Sequence, residues 1–140
     1  MNGTLLETRQ LGNGTTLHLV DASRPQTADR WIVVLEARID IPVSAHLLPP
    51  EQADGLSPAA VQAVLGSAVT YVSRKERVFV PTAEKEALLA TFQDEFCRNA
   101  LPYLSLPAFP TRFILRQYKE IQKRRSLRQT DSMHTDAVED

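Results

Sequence analysis

Arg30-Trp-Ile-Val-Val-Leu-Glu-Ala-Arg-Ile-Asp-Ile41 is the stretch that decides the fold class. Trp31, Val33, Leu35, Ala37, Ile39 and Ile41 recur at period two, the alternation of a β-strand. The intervening set starts apolar, at Ile32 and Val34, and turns polar at Glu36, Arg38 and Asp40. A strand apolar on both faces in its first half, and on one face in its second, belongs inside an antiparallel sheet that helices partly cover. Glu36 and Arg38 are neighbours on the polar face, where an ion pair adds little stability.

Toward the N-terminus, Leu5–Gln10 and Thr15–Asp21 read as two short strands around Leu11-Gly-Asn-Gly14. Asn13-Gly14 predicts a tight type I′ turn, because both residues tolerate the positive φ it needs. The same turn accounts for Asn13 better than the glycosylation pattern Asn13-Gly14-Thr15, which we read, with Asn2-Gly3-Thr4, as a chance match. Ala22–Asp29 is polar and contains a proline, and reads as a loop.

Toward the C-terminus, Pro42–Ser57 is irregular, with Pro49-Pro50 and Asp54-Gly55. Ser57-Pro58 predicts an N-cap followed by proline at the first helical position. Val61, Val64 and Leu65 form that helix's apolar face, and Gly66 ends it. Val69, Tyr71, Val72 and Arg77–Val80 favour extended chain. Pro81-Thr82 predicts the start of a long helix, with Thr82 as its cap and Glu84 and Glu86 near its positive end. Leu88, Leu89, Phe92, Phe96 and Ala100 form its buried face, and Pro102 breaks it.

The last helix starts near Phe109, with Pro110 in its first turn. At about 100° per residue, Arg112, Arg116, Lys119 and Lys123 fall in a wedge of roughly 60°. Phe109, Phe113, Ile114, Gln117, Tyr118 and Ile121 fill the opposite side. Arg124, Arg125 and Arg128 would fall over the apolar stripe if the helix went on, so the packed portion should end near Lys123. The predicted order is β-β-β-α-β-α-α. It specifies an α+β protein, an antiparallel sheet of three to five strands covered on one face by helices. One domain is expected over residues 1–126, with a disordered acidic tail over 127–140.

A chain of 140 residues is long enough for one core, and its 43% hydrophobic and 24% charged content is that of an ordinary globular protein. The net charge of −1 gives the whole molecule no bias toward nucleic acid or acidic membranes. Its distribution is uneven: net −3 over residues 1–108, +6 over 109–128 and −4 over 129–140. One cysteine, Cys97, excludes an intrachain disulfide. No apolar run approaches the roughly 18 residues that span a bilayer. The N-terminal sequence lacks a signal-peptide pattern, so the cytoplasm is the expected compartment and no membrane partner is expected.

Chemistry-bearing residues are sparse. His18, His46 and His134 have no ligand partners at metal spacing. Leu11-Gly-Asn-Gly14 lacks the Lys-Ser/Thr of a phosphate loop, and no cofactor motif is present. Cys97 reads as small packing on a helix. Asp94-Glu95 and Glu84/Glu86 occupy exposed helix positions, with nothing to mark an acid–base pair. Two binding candidates remain. One is the basic stripe Arg112, Arg116, Lys119 and Lys123, able to follow a phosphate backbone or simply a solvated face, with Arg124, Arg125 and Arg128 placed to meet Asp131, Asp136, Glu139 and Asp140. The other is the 21–30 segment, where Arg24 and Arg30 could form a small anion site, though Asp21 and Ser23 suit a local turn and Trp31 a core anchor.

The expectation is therefore a non-enzymatic protein-interaction or self-associating module, with open sheet edges able to pair with another chain. A phosphoanion or nucleic-acid binder using the last helix is the first rival. A small-molecule-binding protein or enzyme with a site in the 21–30 or 42–57 loop is the second.

Overall fold

The computed structural model describes residues 3–49 and 55–139, with side chains described as far as Arg128. The described residues form five strands and four helices: β1 (Thr4–Gln10), β2 (Thr16–Asp21), β3 (Arg24–Thr27), β4 (Arg30–Pro42), α1 (Pro58–Leu65), β5 (Ala68–Pro81), α2 (Lys85–Asn99), α3 (Leu101–Leu104) and α4 (Phe109–Glu139). Short 3-10 turns cover Ala45–Leu47 and Thr82–Glu84. The protein is α+β, as the strand–helix order predicts. The chain forms two compact units, Met1–Ile41 with Thr70–Pro110, and Pro42–Val69 with Thr111–Asp140.

In the first unit, β4 is the central strand: β2 and β3 pair with it, and so does β5. Leu17 lies opposite Ile39 and Asp21 opposite Leu35, while Arg24 lies opposite Ile32 and Pro25 opposite Trp31. These pairs share one register. The Ala22 N–H, which donates to Val34 O at 3.0 Å, bridges the gap between β2 and β3. The two strands are thus one interrupted partner of β4, and the sheet is in essence an antiparallel meander of β1, β2 with β3, β4 and β5.

This corrects the loop expected over Ala22–Asp29. Bonding to Ala22 places the hydrogen-bonded positions of β4 on this side at even-numbered residues. Pro25 opposite Trp31 therefore falls at a non-bonded pair, where a missing N–H costs the ladder nothing. Ser23 sustains the break, its Oγ accepting from the Val34 N–H at 3.0 Å and its own N–H donating to Asp21 Oδ1 at 3.0 Å. The Asp21–Ser23 turn is the one the sequence predicts.

The β1–β2 hairpin is tight, but it is not a type I′ turn. Gly14 N–H donates to Leu11 O and Leu11 N–H to Thr15 O, which encloses three loop residues. Only Gly14 has positive φ, at 88°, so it fills the left-handed bulge position and Asn13 stays at negative φ. Asn13 is freed for another task. Its Oδ1 accepts from Thr15 N and Oγ1, and its Nδ2 donates to Leu104 O at 2.8 Å and Leu106 O at 2.9 Å. One amide side chain so ties the hairpin to the α3 segment.

The helix-facing side of the sheet is built by Leu17, Leu19, Val33, Leu35, Ala37 and Ile39, all buried. Helix α2 lies against it through Leu89 and Phe92 and reaches β1 through Gln93 Nε2 and Glu7 Oε1 at 3.2 Å. Thr82 does not cap α2. Its hydroxyl accepts from Trp31 Nε1 at 3.2 Å, and a 3-10 turn leads into the helix. Trp31 is half-buried, with the Lys85 ammonium 4.3 Å from its ring centroid. Proline breaks the helical run as expected: α2 ends at Asn99 and Pro102 sits in the first turn of α3.

In the second unit, α1 follows its predicted signals. Ser57 Oγ accepts from Ala60 N at 3.1 Å, Pro58 is the first helical residue, and Gly66 ends the helix at φ 87°. Among the described residues of this unit, Val43, Leu48, Val61, Ile114 and Leu115 are the buried apolar side chains, and Thr111 Oγ1 donates to Leu47 O at 2.5 Å. Helix α4 is continuous to Glu139, so no helix end marks the boundary expected at residue 126. Side chains from Lys123 to Arg128 are exposed, in keeping with a packed portion that stops near Lys123. The acidic side chains Asp131, Asp136, Glu139 and Asp140 lie outside the described ones, and so does their expected meeting with the basic run.

Candidate functional site

The residues singled out in the sequence fall in different places. Arg112, Arg116, Lys119 and Lys123 are all exposed and, with Leu115 and Glu120, line a shallow depression of about 400 Å³. Arg116 and Lys119 already have partners within the chain. Leu115 is buried at the margin of this stripe; the helical projection had left it out of the apolar face. Arg24 is exposed on β3, and Arg30 is held by Asp29, Nη1 to Oδ2, at 3.0 Å. The two arginines of the 21–30 segment therefore sit on a hairpin, with one of them neutralised by its neighbour.

His18 Nδ1 lies 3.4 Å from Thr8 Oγ1 on the sheet, and His46 is exposed on the Ala45–Leu47 turn. Cys97 is half-buried on α2, where desolvation pushes its thiol up and the Arg9 charge opposes this. Among the described residues no group of three or more His, Cys, Asp and Glu is placed to hold a metal ion. No helix there is long and apolar enough to cross a membrane.

A feature that the sequence did not flag lies in the second half of β5. Asp40 bonds Thr70 (2.8 Å) and Glu36 bonds Arg74 (2.9 Å), which sets the β4–β5 offset. Thr82 N–H then donates to Asp29 O, by which point the offset has changed by one residue. The extra residue is accounted for at Phe79, whose φ is 57°. It forms a β-bulge with an aromatic side chain in the left-handed conformation that glycine ordinarily supplies. The Phe79 N–H donates to Gln26 Oε1 at 2.9 Å, which holds the bulge.

The bulge changes which side chains face α2. Before it, Lys75 and Arg77 point to the helix, with Lys75 Nζ 5.4 Å and Arg77 Cζ 5.6 Å from the Phe92 ring centroid. After it Val80 is buried, while Val78 is 48% and Phe79 61% exposed. The inserted residue leaves Val78 and Phe79 together at the surface and turns Val80 inward. Two depressions flank this stretch along α2. One, of about 360 Å³, is lined by Arg77, Phe79, Val80, Glu84, Leu88 and Thr91 among others. The other, of about 180 Å³, lies among Ser73, Lys75, Phe92, Glu95 and Phe96.

The charges here are partly spent. Lys75 Nζ donates to Glu95 Oε2 at 2.6 Å, and Arg74 Nε to Glu36 Oε2 at 2.9 Å. The Lys75 hydrogen bond, then its charge, holds the Glu95 carboxyl below the usual carboxylate range. Glu95 is thus ion-paired rather than a free exposed carboxylate. Arg77 stacks over Phe92 and makes no ion pair with the described carboxylates. No family model, curated protein or solved structure matches the chain.

Proposed function

We propose that the protein is an interaction module that docks a protein partner on the exposed second half of β5. The observation that carries this reading is Phe79. An exposed aromatic side chain in a left-handed backbone conformation costs about 1–3 kcal/mol, and such strain clusters at binding sites. Single exposed apolar residues are ordinary; Val78 and Phe79 are contiguous and border a groove that also holds Leu88. An aromatic anchor beside a depression is the arrangement from which binding hot spots are built.

The test is affinity isolation from the native cell with the wild-type chain and with Phe79→Gly, a change that keeps the bulge conformation available. Loss of a co-purifying protein from the Phe79→Gly sample supports the reading. Recovery of the same protein in the same amount contradicts it.

The second reading is a phosphoanion or nucleic-acid binder on α4, favoured by the four exposed cations around one depression. Repeating the isolation at two salt concentrations, with nucleic-acid staining, separates the two, because backbone phosphate contacts weaken steeply with salt. The net charge of −1 and the existing partners of Arg116 and Lys119 place this reading second.

A further inference from the structure

The structure assigns to β5 a mode of docking: we propose strand addition of an extended partner segment with a carboxylate side chain opposite Arg77. This rests on the interaction reading above and specifies the occupant of that same surface. In the sheet, β5 pairs with β4, and no described strand pairs with its other edge. Residues 74–79 are exposed without interruption, a length of about 20 Å at strand rise.

The direction of the backbone groups follows from the ladder. Val34 of β4 bonds toward β2 and β3, through its O to Ala22 and its N–H to Ser23. Even-numbered residues of β4 therefore face that side, and odd-numbered ones such as Leu35 and Ala37 face β5. With Glu36 beside Arg74, odd-numbered β5 residues return those bonds. The N–H and C=O groups of Arg74, Glu76 and Val78 then point outward, available to a new strand.

The flank of this edge supplies the selectivity. An added strand would lay alternate side chains over the α2 side, where the two depressions lie on either side of Lys75, Arg77 and Phe92. Of the three β5 cations, Arg74 and Lys75 are ion-paired with carboxylates of their own chain. Arg77 makes no ion pair within 4 Å among the described residues, and its charge reaches Glu95 only at longer range. A carboxylate opposite Arg77 completes the set, and an apolar side chain two residues along the added strand, on the same face, meets the Phe79–Leu88 depression. A second copy of this chain fits less well. Antiparallel β5 pairing through the outward even-numbered residues sets Glu76 against itself and Lys75 against Arg77, or one step along sets Lys75 against itself, in each case like charges directly opposed.

The experiment selects linear random nonapeptides on phage against the full chain, then measures the synthesised winners by fluorescence anisotropy. The expected winners carry a β-branched or aromatic alternation with one Asp or Glu. Arg77→Glu should weaken them about three- to fivefold and favour their Lys-substituted versions. N-methylating alternate backbone amides of the winning peptide should weaken it at least about tenfold, with no change to the protein. Glu76→Pro removes an outward N–H without touching the β4 ladder and should abolish binding while the circular dichroism spectrum is retained.

No enriched peptide, winners indifferent to Arg77→Glu and to N-methylation, or a β5-dependent dimer of the chain itself would each overturn strand addition by an acidic segment. None of these results touches the Phe79→Gly isolation, so the docking mode can fail while the interaction reading stands.

Discussion

Replacing Phe79 by glycine and by alanine isolates the backbone term at the bulge. Elsewhere in a strand alanine is more stable than glycine by about 0.5–1 kcal/mol. At φ 57° the order should invert, since alanine retains the Cβ clash that a left-handed residue carries. Phe79 is 61% exposed, so either replacement gives up burial of about 80 Å² of an aromatic side chain, on the order of 2 kcal/mol. Alanine loses that and keeps the strain. Glycine recovers about 1 kcal/mol of it, and should leave a protein about 1 kcal/mol more stable than Phe79→Ala. Urea unfolding monitored by circular dichroism resolves this, and in heat the two variants should differ by about 3 °C. Val72, 47% exposed in the regular part of β5, is the control, where Val72→Ala should exceed Val72→Gly. Phe79→Ala equal to or more stable than Phe79→Gly would refute the strained bulge, and with it the reason for treating Phe79 as a placed residue.

Other substitutions test the rest of the framework. Asn13→Ala removes the amide that holds Leu104 O and Leu106 O and should cost about 2 kcal/mol in urea; Asn13→Asp should cost more, because it turns a carboxylate toward two carbonyl oxygens. Thr111→Val should cost about 1 kcal/mol by deleting the hydrogen bond to Leu47 O in a buried site. NMR titration should place Glu95 below an ordinary glutamate, and Lys75→Met should return it to the usual range. Because the folded-state pKa of Glu95 is depressed, its contribution is present above the unfolded pKa and is lost as pH falls through the folded one. Cys97, its thiol pushed up by burial, should react with iodoacetamide at pH 7.5 more slowly than a free cysteine, and unfolding in urea should abolish the difference.

Periodicity made the main elements legible. The alternation from Trp31 to Ile41 is strong enough to identify the central strand, and Ser57-Pro58 with Gly66 marks both ends of α1, because these signals act within a few residues. Three features depended on their partners in the fold, two of them distant in sequence. Pro25 looked like a loop residue until its position opposite Trp31 showed that no ladder bond was needed there. Thr82 looked like a cap, but the Trp31 indole takes its hydroxyl. Asn13 was read as a turn former, and its larger role is set by carbonyls near residue 105. Of the candidate site, the sequence offered only extended propensity over Arg77–Val80. Nothing local marks Phe79 for positive φ, since glycine or asparagine would be the ordinary signal. The basic stripe was legible for the opposite reason: a helix's own period fixes it.

Amide hydrogen exchange on the chain, free and bound to the protein recovered by affinity isolation, addresses the β5 surface most directly. The account predicts that binding protects Arg74, Glu76 and Val78, whose N–H groups point away from β4, and leaves α4 unchanged. Protection confined to the Arg112–Lys123 face, with β5 exchanging as in the free chain, would contradict it.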